Sequence, residues 1–122
     1  MSKHEEFKNI FSKLRAILKQ HENKLVVVKN TEDNYYLDTA HIMKNQKPLF
    51  FGATNIKKNY VSYHLMPVYV NPELLSGISP ELEKRRQGKS CFNFKTSDPV
   101  LFKELAKITR AGIADYKSQG YL

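Results

Sequence analysis

KKNYVSYHLMPVYVNPELLSGISPELEKRRQGKSCFNF, Lys57 to Phe94, is the run whose reading decides the fold. Within it, Tyr60-Val61-Ser62-Tyr63-His64-Leu65 has the period-two alternation of a β-strand, with Val61, Tyr63 and Leu65 on one side and Tyr60, Ser62, His64 and Met66 on the other. Two local devices follow, Asn71-Pro72-Glu73-Leu74 and Ser79-Pro80-Glu81-Leu82. Each sets a side chain that accepts from free amides ahead of a proline whose fixed φ suits the first helical position. The first predicts a single turn ending near Gly77, and the second a helix running through Arg86 to Gly88. Ser90 to Phe94 then reads as a short strand.

The flanks complete the pattern. Leu25-Val26-Val27-Val28-Lys29 and Tyr35-Tyr36-Leu37-Asp38-Thr39 are β-prone runs separated by the turn formers Asn30 to Asn34, and Leu49 to Thr54 is a third strand joined to the fourth across Lys57-Lys58-Asn59. Before them, Phe7, Ile10, Phe11, Leu14, Ile17 and Leu18 recur at helical spacing behind a Ser2/Glu5 capping box. After them, Asp98-Pro99 starts a helix whose apolar positions run from Leu101 to Tyr116 and which stops by Gly120. The order is α-β-β-β-β-α-β-α. It predicts one α+β domain over residues 1–122, a mostly antiparallel sheet of about five strands flanked by N-terminal and C-terminal helices that cover one face.

Composition sets further bounds. The 122 residues suffice for one core without staples, and 41% apolar residues is ordinary globular composition. Met1 leads straight into charged helix formers with no uninterrupted apolar stretch, and the single cysteine, Cys91, has no partner for an internal disulfide. A cytoplasmic protein without membrane attachment is the expectation. Nine basic against three acidic residues between positions 41 and 97 supply +6 of the net +8. Such an excess favours anionic small molecules, acidic protein surfaces or nucleic acid through long-range attraction, and also serves solubility.

No motif with demanding spacing assigns a reaction. Cys91 and His64 are residue types of a thiol nucleophile and its base, but a lone cysteine between aromatic neighbours reads as buried and inert. His4, His21, His41 and His64 are scattered, without the paired spacing of a zinc site. Gly88-Lys89-Ser90 lacks the preceding glycine and strand of a phosphate loop. Lys84-Arg85-Arg86 with Lys89 is the densest cationic group, explained structurally by the dipole at a helix C-terminus and functionally by contact with an anion.

KPLFFGATNIKKNYVSYHL (47–65), GKSCFNF (88–94) and LFKELAKITRAGI (101–113) together resemble the YdhG-like domain family, over roughly residues 24–115. The resemblance implies a compact α+β fold similar to frataxins, and some members are described as frataxin-like iron chaperones. In this chain Glu5, Glu6 and Glu22 are interleaved with Lys3, Lys8, Lys13, Arg15 and Lys19. Hard cations want clustered carboxylates, so no metal is expected. The reading is a non-enzymatic binding protein without a cofactor. Its site is the surface of Tyr60, His64, Arg85, Arg86 and Lys89, for an anionic small molecule or acidic partner. A frataxin-like metal carrier and a weak, nonspecific nucleic-acid binder are the alternatives.

Overall fold

The computed structural model describes residues 2–122. Helix α1, Lys3–Lys19, starts where Ser2 Oγ accepts from the Glu5 amide at 3.2 Å, with Glu5 and Glu6 against the positive end of its dipole. Its six predicted apolar positions are all buried. Strands β1 (Val26–Asn30), β2 (Asn34–Ile42), β3 (Pro48–Ile56) and β4 (Val61–Leu65) form the consecutive antiparallel meander that the turn residues call for. After β4 the chain makes helix α2 (Met66–Val70), a 3-10 turn (Pro72–Leu75) and helix α3 (Pro80–Arg85). Strands β5 (Arg86–Gln87) and β6 (Cys91–Phe94) and the long helix α4 (Pro99–Ser118) complete it. The sheet order is β1-β2-β3-β4-β6-β5.

The α+β class and antiparallel sheet agree with the sequence, and three details correct it. The sheet has six strands rather than about five. Arg86 leaves the helical region at φ −73°, ψ 127°, so α3 ends at Arg85 and the next two residues pair with β6. Met66 likewise does not continue β4. Pro67 lacks an amide hydrogen to offer a sheet and is at home in the first turn of a helix, so the chain turns into α2.

β4 sits between β3 and β6, and its alternation sorts the sheet into two faces. Val61, Tyr63 and Leu65 are fully buried under α1 and α4, together with Tyr35 and Leu37 of β2 and Phe92 and Phe94 of β6. Between Leu37 and Asp38 the β2–β3 register slips by one residue, so that Leu37 faces Gly52 while Asp38 faces Phe50. Phe51 therefore turns inward with Gly52, and its ring meets Tyr116 edge-on at 5.7 Å. Phe50 is left on the face without helices. Polar groups inside are satisfied: Tyr63 Oη and Thr109 Oγ1 lie 2.6 Å apart, and Thr109 also donates to Leu105 O. Tyr116 Oη donates to Phe50 O at 2.9 Å, tying α4 to the sheet. Among the described residues no helix is long and apolar enough to cross a membrane.

α2 rests on α4 at Gly112, where a Cβ would stand 2.9 Å from Pro67 Cβ and 3.0 Å from its Cγ. A proline ring cannot swing aside. Helix propensity alone would make Gly112→Ala stabilising by about 1 kcal/mol, whereas overpacking costs about 1–3 kcal/mol. The expected result is a net loss in urea unfolding, with a lower midpoint and unchanged slope. A gain of about 1 kcal/mol would mean that α2 does not sit on α4.

Candidate functional site

The five residues singled out by sequence fall into three places. His64 lies on the helix-free face of β4. Its Nε2 is 2.8 Å from Ser90 Oγ, its ring meets Phe50 edge-on at 4.9 Å, and its register partner is Cys91. Burial holds its pKa below the ordinary 6.5, so the imidazole is neutral near pH 7. Tyr60 ends the turn before β4, where its carbonyl accepts from the Lys57 amide at 2.8 Å. Three residues of β4 lie between it and His64, four steps of strand or about 13 Å. The two share a face without touching.

The cationic group divides by hydrogen bonding. Arg86 Nε donates to both Glu83 carboxylate oxygens at 3.1 and 3.0 Å, Nη2 donates to Oε1 at 2.6 Å, and Nη1 reaches Gly88 O at 3.2 Å. This guanidinium is occupied in closing the α3–β5–β6 turn. It holds the Glu83 carboxyl below its usual range, chiefly through the hydrogen bond. Arg85, the last residue of α3, is exposed and does not line any hollow that Arg86 lines. Lys89 is exposed too, and its Nζ stands 5.5 Å from the centroid of the Tyr69 ring.

Lys89 and Arg86 border a concavity of about 240 Å³ whose other walls are Val68, Tyr69, Pro72 and Leu75. α2 supplies one side and the turn before β6 the other. On the far side of the Arg86–Glu83 pair a shallower hollow runs along Glu73 and Ser76. A third hollow, about 140 Å³, lies between Leu74, Ile78 and the Ile108–Ala111 stretch of α4. Its carboxylate, Glu104, already accepts from the Ser79 amide and hydroxyl at 2.7 Å each. Two further hollows, one at Phe11, Arg15 and Asn30 and one at Lys3, Phe7, Asn59 and Lys95, set cations beside a buried phenylalanine, whereas the concavity at Lys89 combines an uncommitted cation with an exposed aromatic face and apolar walls.

Several other chemistry-capable groups are partly buried or already hydrogen-bonded. Cys91 is half-buried, and burial raises its thiol pKa, with Lys57 opposing. Cys91 sits across from His64 in register, but the imidazole Nε2 is committed to the Ser90 hydroxyl. A nucleophile needs access, and Ser90 is only 6% exposed. Glu6 accepts from the Ser97 amide, and Glu22 accepts from the Tyr35 hydroxyl. Among the described residues no three His, Cys, Asp or Glu side chains are grouped to hold a metal ion. Sequence reasoning missed the Ser90–His64 bond, which only the β4–β6 register creates. It also missed the Glu83–Arg86 pair, whose i, i+3 spacing was a readable signal.

No protein-family profile, curated protein or solved structure matches the chain.

Because burial lowers the His64 pKa in the folded chain, the sign of its pH effect is fixed. Above its ordinary pKa of 6.5 the imidazole is neutral in both states and contributes no slope. As pH falls below that value the unfolded chain takes up the proton first, so stability declines until the folded pKa is passed. Unfolding by urea between neutral and mildly acid pH should show this decline, and His64→Gln should reduce it. His21, also lowered by burial and by Lys24 and Arg110, accounts for a remaining slope of the same sign. An unchanged acid slope in His64→Gln would contradict a buried neutral imidazole.

Proposed function

We propose that the protein is a non-enzymatic, cytoplasmic binding protein of the YdhG-like group with a frataxin-like arrangement. Its ligand is an anionic small molecule with an apolar or aromatic part, held in the concavity beside Lys89. The observation that carries this reading is the placement of the Lys89 ammonium over the Tyr69 ring at the rim of a hollow walled by Val68, Pro72 and Leu75. An anion entering there meets an uncommitted cation beside low-dielectric walls, where charge-assisted contact is stronger than in open water. The flat Tyr69 ring, 54% of the residue being exposed, offers a face to the ligand's apolar part. Arg86 lines the same concavity while keeping its bonds to Glu83, so Lys89 supplies the uncompensated charge. The family reading draws support from the two long helices, α1 and α4, lying on one face of an antiparallel sheet. The cytoplasmic reading draws support from a single unpaired thiol.

Phenyl phosphate tests the site directly, followed by nuclear resonance shifts of Tyr69 and Lys89. Lys89→Ala should weaken its binding by about tenfold, the effect of losing one charge-assisted contact of roughly 1.5 kcal/mol. Arg85→Ala, outside the concavity, should change the affinity by less than about twofold. Benzyl alcohol, of similar size but neutral, should bind far more weakly. Equal binding of phenyl phosphate by Lys89→Ala and the parent protein would overturn the assignment.

A further inference from the structure

The face of the sheet without helices carries three side-chain rows that the strand registers align. The middle row crosses all six strands: Lys29 faces Tyr36, Tyr36 faces Ala53, Ala53 faces His64, His64 faces Cys91 and Cys91 faces Gln87. On one side of it Asp38 faces Phe50, and on the other Asn34 faces Asn55, Asn55 faces Ser62 and Ser62 faces Asn93. The Tyr36 and Phe50 rings stack at 4.6 Å with 28° between their planes, and Phe50 meets His64 edge-on. A half-buried aromatic surface thus spans β2 to β4, bordered by a row of amides. Lys29 and Lys57 are exposed at its margins, and Lys57 stands near enough to act electrostatically on the Cys91 thiol.

We propose that this open face binds single-stranded nucleic acid, as a site separate from the concavity at Lys89. Unpaired bases pack against Tyr36, Phe50 and His64, since any base has a π-face and stacking needs no particular sequence. Asn55 Nδ2 donates to Asn34 Oδ1, so these two amides hold each other, and their remaining donor and acceptor capacity together with the Asn93 amide meets base edges. Lys29 and Lys57 meet the phosphates, and the net charge of +8 draws the polyanion in. The same charge argues against a second copy on this face, because two such surfaces would oppose each other's lysines. Asp38 is the one acid on these rows. It lies on the Phe50 side, away from the amides, and adds to the upward shift that burial gives the Tyr36 pKa. A duplex hides its base faces and has only phosphates to offer here.

A fluorescently labelled oligothymidylate of about ten nucleotides, within the span that one such module covers, is the probe. At low salt the parent protein should bind it at least tenfold more tightly than a duplex of equal length. Tyr36→Leu and Phe50→Leu keep apolar bulk on the sheet while removing the rings. Each should weaken binding by about fivefold or more, whereas Lys89→Ala, which removes only one charge outside the face, should weaken it by less than about twofold. In the unmodified protein the His64 ring resonances should shift on adding the oligonucleotide, a readout that needs no variant. The proposal is overturned if duplex and single strand bind alike, or if both leucine variants match the parent, since charge alone would then explain the binding. It is equally overturned if the His64 signals stay in place, or if the leucine variants alter the sedimentation of the free protein, which would make the face a self-association surface.

Discussion

Strand β4 is hydrogen-bonded on both sides, and the molecule is organised around its alternation. Val61, Tyr63 and Leu65 have no exposure, while Ser62 and His64 point the opposite way. A one-residue slip of this strand would exchange those sets, placing a histidine and a serine under the helices and a tyrosine in water. The Tyr63 hydroxyl makes that slip still more costly, because it is satisfied only by Thr109 of α4. Core, open face and helix placement are therefore coupled through five residues.

The irregularities are what give the surface its chemistry. The register slip beside Phe51 lets two successive residues of β3 face the core and leaves Phe50 to meet Tyr36 and His64 outside. The turn into α2 at Pro67 places Tyr69 opposite the β5–β6 connection, where Lys89 completes the rim of the concavity. The Glu83–Arg86 pair fixes that connection. A cationic cluster that reads as one patch in sequence is thus four residues with different duties: Arg86 structural, Lys84 and Arg85 solvated, and Lys89 at the rim of the concavity.

Much of the frame is legible in the residues themselves. Ser2, Ser79 and Asp98 each accept from an amide of the helix they precede, and the apolar stripes of α1 and α4 are buried as their spacing requires. The first four strands lie where β-branched and aromatic residues alternate between turn formers. The rest depends on information that local sequence does not hold. β5 is two residues long and exists because β6 offers an edge; α2 is hidden in a run that continues the apolar pattern of β4. The candidate site was legible in part. Lys89 and Arg86 do border one concavity, but Tyr60 sits at the other end of β4 from His64, and Tyr69 enters the site only through the path of α2. Tyr36 and Phe50 lie fourteen residues apart in sequence, and only the β2–β3 register brings them together.

The central claim is that ligand contact belongs to the helix-free side and the Lys89 rim, at two separate places, while α1 and α4 serve the core. The most direct measurement is a pair of resonance-shift maps on one assigned sample, with phenyl phosphate and then with oligothymidylate. The account predicts two largely separate sets, Tyr69 and Lys89 for the first and Tyr36, Phe50 and His64 for the second, with the outer surfaces of α1 and α4 silent. Shifts concentrated on those helices, or one common set for both ligands, would contradict it.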